Sequence, residues 1–189
     1  MNSGLIVSVS SKSSEFLKET LKQSGIDSIS FAASGSEARR KITEASYDIV
    51  IINSPLSDEF GVELSVWIGD NTTSGVVVLV KAELAEELSQ NLEEHGVFVV
   101  AKPINKSFLT GAVKLVAASR RRLLDMMAQN EKLQTKLEEI RLVDRAKCAL
   151  IQYSDMTEAM AHKYIEKQAM NERTTRSKIA IGILKTYET

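Results

Sequence analysis

The chain has 189 residues, room for one large or two small domains, and its 43% apolar content is ordinary for a folded protein. No apolar run approaches the roughly 20 residues that cross a bilayer, and the opening MNSGLIVSVSS lacks the basic n-region of a signal peptide. Cys148 stands alone, which excludes an internal disulfide framework or a cysteine metal site and leaves a cytoplasmic protein as the simplest expectation. The net charge of −1 hides an asymmetry. Residues 1–118 carry 10 Lys/Arg against 15 Asp/Glu, a charge of −5, whereas residues 119–189 carry 14 against 10, a charge of +4. A basic portion attached to an acidic one points toward a polyanionic partner.

Leu5 to Val9 (LIVSV) is short, rich in β-branched residues and followed by serines, the pattern of a first strand. Residues 13–24 carry Phe16, Leu17 and Leu21 at helical spacing, Ile29–Ala32 reads as a second strand, and Ser36–Ala45 as a second helix. Asp48–Asn53 (DIVIIN) is nearly all apolar, as a strand covered on both faces must be, and Val76–Val80 and Val97–Ala101 repeat the pattern. Five strands separated by helices predict an α/β domain over residues 1–118, a doubly wound five-stranded parallel sheet with right-handed crossovers.

After Pro103 the texture changes. From Ala112 to Ile181 there is neither Gly nor Pro, so nothing forces a helix to break. Heptads counted from Val116 put Val116, Leu123, Asn130 and Leu137 at a, and Ser119, Met126, Leu133 and Ile140 at d. A lone Asn at an a position fixes parallel two-stranded register at some cost in stability. Residues 119–140 are therefore expected to form a linker helix that dimerises as a parallel coiled coil through Leu123, Met126, Asn130, Leu133, Leu137 and Ile140. The alternative is one amphipathic helix packed on its own domain. Arg120, Arg121 and Arg122 read as the flank of that seam. Residues 141–189 read as an all-α unit of three helices. The linker continues through Ile151; a second helix is expected to be capped by Asp155 with Glu158 as capping-box partner; and a third starts at Thr174 or Thr175. Met160, Ala161, Tyr164, Ile165 and Ala169 form the apolar face of the second, and Ile179, Ile183 and Leu184 of the third could pack back.

Two stretches of the first domain resemble the receiver domain of two-component response regulators. DIVIINSPLSDEFGVEL (48–64) is similar to the receiver segment that ends strand three at the phosphoacceptor aspartate, and VVAKPIN (99–105) to its lysine–proline turn. The chemistry implied by the resemblance is missing. Asn53 stands at the acceptor position, and its neutral amide is not a usable nucleophile. Ser8 and Val9 stand where two acidic residues would hold Mg²⁺, a hard cation that wants carboxylate oxygens. Lys81 replaces the strand-four Ser/Thr, and Lys102 alone is kept. Were Asp48 or Asp58 the acceptor instead, it would lie at the wrong end of strand three or in the following loop. Lys81 and Lys102 are expected to project near Asn53 and fill the pocket from within.

RLVDRAKCALI (141–151), DMTEAMAHKYIEKQAM (155–170) and SKIA (177–180) resemble the ANTAR domain, an RNA-binding antiterminator module found behind receiver-like domains in bacteria. Arg141, Ala146 and Lys147 fit its opening signature, with Cys148 in place of the customary Gly. The resemblance implies binding to RNA hairpins, recognised through phosphates and splayed loop bases. Arg141, Arg145, Lys147, Lys163, Lys167, Arg173, Arg176 and Lys178 would supply charge, and Ala146 and Ala161 close approach. His162 and Tyr164 are candidate stacking residues, although the helical spacing of Tyr164 favours a place in the core.

The sequence thus favours a dimeric regulator of transcription antitermination, switched without phosphorylation by a protein partner or ligand or set by abundance alone. The alternatives are a DNA-binding response regulator and a module that sequesters proteins. No nucleophile–base constellation or Gly-rich phosphate loop points to an enzyme, and no cofactor or metal ligand set is expected.

Overall fold

The computed structural model describes residues 3–187 and divides the chain into two compact units between Asp125 and Met126. In the first, β1 (Ser3–Val7), α1 (Ser11–Gln23), β2 (Ser28–Ala32), α2 (Gly35–Glu44), β3 (Ile49–Asn53), α3 (Val62–Asn71), β4 (Gly75–Lys81), α4 (Ala82–Leu92) and β5 (Val97–Lys102) alternate along the chain. A fifth helix, α5 (Lys106–Ser154), runs 49 residues without a break, as the absence of Gly and Pro after Gly111 allows. The strands form one parallel sheet in the order β2-β1-β3-β4-β5, the doubly wound arrangement expected.

Side chains alternate across the sheet and build two cores. Leu5, Val50, Ile52, Val76 and Val78 face Ala38, Leu64, Ile68 and Leu92 of α2, α3 and α4. Ile6, Ile49, Ile51, Val77 and Leu79 face Leu17, Leu21, Leu109 and Val113 of α1 and α5. All are nearly or fully excluded from solvent, which is why these strands read as continuous apolar runs rather than alternating ones. Gly75 opens β4 where α5 passes close: a Cβ there would stand 2.4 Å from Val116 Cγ1. Gly61, at φ +95°, lets the chain enter α3 through the left-handed region.

Arg120 is not solvent-facing coiled-coil flank. Its Nε donates to the Thr73 carbonyl at 2.8 Å and its Nη1 lies 2.5 Å from Asp48 Oδ1. Asp48 Oδ2 accepts from the Ser3 N–H at 2.6 Å, so Asp48 joins the starts of β1 and β3 to α5. A heptad count records only apolar spacing and is blind to such an anchor.

In the second unit the last turns of α5 pack with α6 (Glu158–Asn171) and α7 (Arg176–Tyr187) around Ala146, Leu150, Ala161, Ile165, Ala180 and Leu184. The cap of α6 is Thr157, not Asp155. Thr157 sits in extended backbone directly before the helix and accepts from the Met160 N–H at 3.3 Å, whereas Asp155 turns the chain at φ +52°. Thr175 caps α7 by accepting from the Lys178 N–H at 3.3 Å. Tyr164 is 39% exposed and outside the core. The aromatic contribution comes instead from Tyr153 and Tyr187, stacked with centroids 5.5 Å apart, and from a 3.0 Å bond between the Tyr187 hydroxyl and Ser154 Oγ.

Replacing Arg120 with Met removes a charge-assisted bond and strands Asp48. Stability of the receiver-like unit should fall by about 1–2 kcal/mol, read as a lower urea midpoint with unchanged slope. An unaltered midpoint would show the anchor to be energetically idle.

Candidate functional site

In an open parallel sheet the usable crevice lies beyond the carboxyl ends of the strands. Here Asn53 is the last residue of β3, and Ser8 follows β1 on the neighbouring strand. Asn53 Nδ2 donates to Ser8 Oγ at 3.0 Å, and Ser8 Oγ lies 3.4 Å from the Ser10 carbonyl. Lys102 ends β5, and its Nζ donates to the carbonyl of Ser54, the residue after Asn53. Burial holds the Lys102 pKa below the ordinary lysine value. Val9 points outward, 57% exposed. Lys81 pairs in register with Lys102 on the adjoining strand but is exposed, and it makes no hydrogen bond or ion pair with the described residues. Ser8, Asn53 and Lys102 are therefore gathered at the strand ends, and Val9 and Lys81 are not drawn in with them.

The gathered groups are an amide, a hydroxyl and an ammonium. None of the three is a carboxylate, the group that an acyl phosphate and a hard divalent cation both require. The nearby acids are committed elsewhere. Asp58 accepts from the backbone N–H groups of Ser36 and Gly35 and from the Ser36 hydroxyl. These bonds at the start of α2 pull its pKa down to about 2, the Ser36 N–H being the largest cause. Asp48 is at the far end of its strand, with Arg120.

The basic residues of the helical unit divide into two sets. Arg141, Lys163, Lys167, Arg173 and Lys178 are exposed, and Lys163 and Lys167 lie one turn apart on α6. Arg145 is exposed as well. Lys147 and Arg176 are instead held by acids. Lys147 Nζ, on a side chain only 16% exposed, lies 2.8 Å from Asp144 Oδ1 and 3.5 Å from Glu158 Oε1, and the Asp144 bond above all raises its pKa. Arg176 lies 3.5 Å from Glu166, which is also 3.3 Å from His162 Nε2. Ala146 and Ala161 are wholly buried. Their small size serves the packing of α5 against α6 rather than the approach of a ligand. The Lys147–Asp144 pairing was visible in the sequence as an i,i+3 spacing, but an acid beside a signature lysine carried no signal until the helix was seen.

On α5, Leu123, Met126, Leu133, Leu137 and Ile140 are between 49% and 60% exposed, and Asn130 among them is exposed too. So broad an uncovered apolar row is unusual on a solvated helix.

Comparison with known proteins gives these sites a context. A family model of the response regulator receiver domain matches residues 5–114, and one of the ANTAR domain matches residues 131–184. The chain belongs to the response regulator receiver family. It joins that receiver domain to an ANTAR domain, whose match reaches back into the segment of α5 that the sequence reads as linker. Over 173 residues, 92% of this chain and 84% of that protein, it is 27% identical to transcriptional regulatory protein PdtaR of Mycobacterium tuberculosis. Among solved structures it resembles a two-component response regulator from Clostridium difficile (28% identity, TM-score 0.52, 61% of this chain and 95% of that one). It also has the fold of a response regulator receiver domain protein from Clostridium thermocellum (22% identity, TM-score 0.57, 66% and 99%).

Incubation with Mg²⁺ and acetyl phosphate should leave the intact mass of the chain unchanged. Asn53→Asp by itself should also stay unlabelled, because Ser8 and Val9 supply no metal ligand. A gain of one phosphoryl group by either protein would contradict this geometry.

Proposed function

We propose that the chain is an RNA-binding regulator of transcription antitermination that acts as a dimer on leader-RNA hairpins and is controlled without aspartyl phosphorylation. The observation that carries this reading is the ANTAR match over residues 131–184, on a unit whose exposed surface bears Arg141, Lys163, Lys167, Arg173 and Lys178. These are the charges that phosphate contacts require, and their counterion release would make affinity steeply dependent on salt. Loop bases splayed from a hairpin would supply the rest of the recognition. The chain is read as cytoplasmic and non-enzymatic, and no described helix is long and apolar enough to cross a membrane.

The exposed row from Leu123 to Ile140 supports pairing of two chains as a parallel coiled coil, with Asn130 setting register. Two RNA-binding units held together would engage two neighbouring hairpins with an avidity neither has alone. Bound to the transcript, such a dimer would hold it in the form that does not fold a terminator. The Asn53–Ser8 bond supports control by another partner or ligand that binds one state of the receiver domain better than the other, or by abundance.

Two measurements test this. Selection from a pool of hairpin RNAs with randomised loops should enrich a discrete family of loops. Lys163→Ala and Lys167→Ala should each weaken binding by a few-fold and flatten the plot of log affinity against log salt by about one unit. Enrichment of duplex DNA, or of no nucleic acid, would overturn the RNA reading. Sedimentation should report a dimer that Leu133→Asp converts to monomer; a wild-type monomer at micromolar concentration would overturn the coiled coil.

A further inference from the structure

The helical unit contains a cavity of about 530 Å³ between residues 139–147 of α5, His162 of α6 and the start of α7. Resting on the RNA-binding reading above, we infer that this cavity receives one unpaired nucleobase extruded from the hairpin loop, and not a phosphate. Its lining decides between the two. Lys147 and Arg176 are there, but each is already neutralised, Lys147 by Asp144 and Glu158 and Arg176 by Glu166. Asp144 and Glu139 themselves line the cavity. A phosphate entering would meet carboxylates at least as numerous as unpaired cations, and at short range like charges are costly.

A base meets different terms. Its flat apolar face would lie against Val143, and the ring of His162 stands on the α6 side. Its edge carries both donors and acceptors. The Asp144 carboxylate can accept from ring or exocyclic N–H groups, while Lys147 and Arg176 donate to ring nitrogens or exocyclic oxygens. The first-turn N–H groups of Arg176 and Ser177 add donors, since residues at a helix start have no intrahelical acceptor. A purine offers such a mixed edge on a ring system, and a volume of about 530 Å³ leaves room for it and part of its sugar. Specific reading of RNA depends on such splayed bases, while phosphates fix position only. The surface cations Lys163 and Lys167 and the cavity pair Asp144–Lys147 would then have separate duties, one electrostatic and one selective.

The test uses the full chain and a hairpin recovered by the randomised-loop selection. Asp144→Asn should bind that hairpin about tenfold more weakly, with an unchanged salt slope, because a base contact is lost and no phosphate contact is. Were the cavity a phosphate site, removal of the carboxylate charge would tighten binding. Replacing the loop bases one at a time with abasic sites should find one position at which wild type loses about tenfold and Asp144→Asn loses little more. That non-additivity reads the contact itself, since a variant that had merely lost structure would remain sensitive at every position. The abasic scan with wild type alone stands if Asp144→Asn melts early by circular dichroism: no single sensitive position would overturn the inference. Equal or tighter binding by a folded Asp144→Asn would overturn it while leaving RNA binding intact. Failure of the selection to recover any hairpin would overturn both.

Discussion

The amide of Asn53 donating to the hydroxyl of Ser8 organises the carboxyl edge of this sheet. In the receiver domains that these stretches resemble, the same edge concentrates acidic side chains, whose negative charge a metal cation must offset. Here two neutral groups satisfy one another across β1 and β3, and Lys102 turns to the Ser54 carbonyl instead of to a phosphoryl oxygen. Because the pair is uncharged, its stability does not require an ion. The fold around it is unaffected, since the sheet is held by the two apolar cores and by the Arg120–Asp48–Ser3 anchor at the opposite edge. A receiver scaffold can thus keep every element with no carboxylate among Ser8, Asn53 and Lys102 at these strand ends.

What remains for such a scaffold is to present surfaces and to carry α5. That helix supplies Leu109, Ala112 and Val113 to the first unit's core and Ala146, Ala149 and Leu150 to the second's. Between them runs the exposed row from Leu123 to Ile140. The charge asymmetry follows the two units: residues 1–125 carry 13 Lys/Arg against 16 Asp/Glu, a charge of −3, and residues 126–189 carry 11 against 9, a charge of +2.

Much of this is legible in the sequence. Strands buried on both faces leave uninterrupted apolar runs, so DIVIIN and VVVLV announced β3 and β4 with boundaries within a residue or so. The placement of Asn53, Ser8 and Lys102 at strand ends was legible too, because those ends follow from the runs, whereas the exposure of Lys81 and Val9 away from them was not. Less was legible where local chemistry had competing solutions. Asp155, Thr157 and Glu158 all carry capping side chains, and only the backbone geometry selects Thr157. Arg120 sits in a run of three arginines that look alike in sequence, yet it alone of the three reaches Thr73 and Asp48. The pairing of Lys147 with Glu158 left no trace because Glu158 comes from another helix. Pairwise tertiary geometry, unlike periodicity, leaves no repeating mark in a sequence.

The most direct test of the account measures hairpin affinity of the full chain at constant Mg²⁺, with and without beryllofluoride as phosphoryl mimic. The two dissociation constants should coincide within error, because Asn53 and Ser8 offer the mimic neither an acceptor carboxylate nor a metal. A shift in hairpin affinity on adding beryllofluoride would contradict the account at its centre.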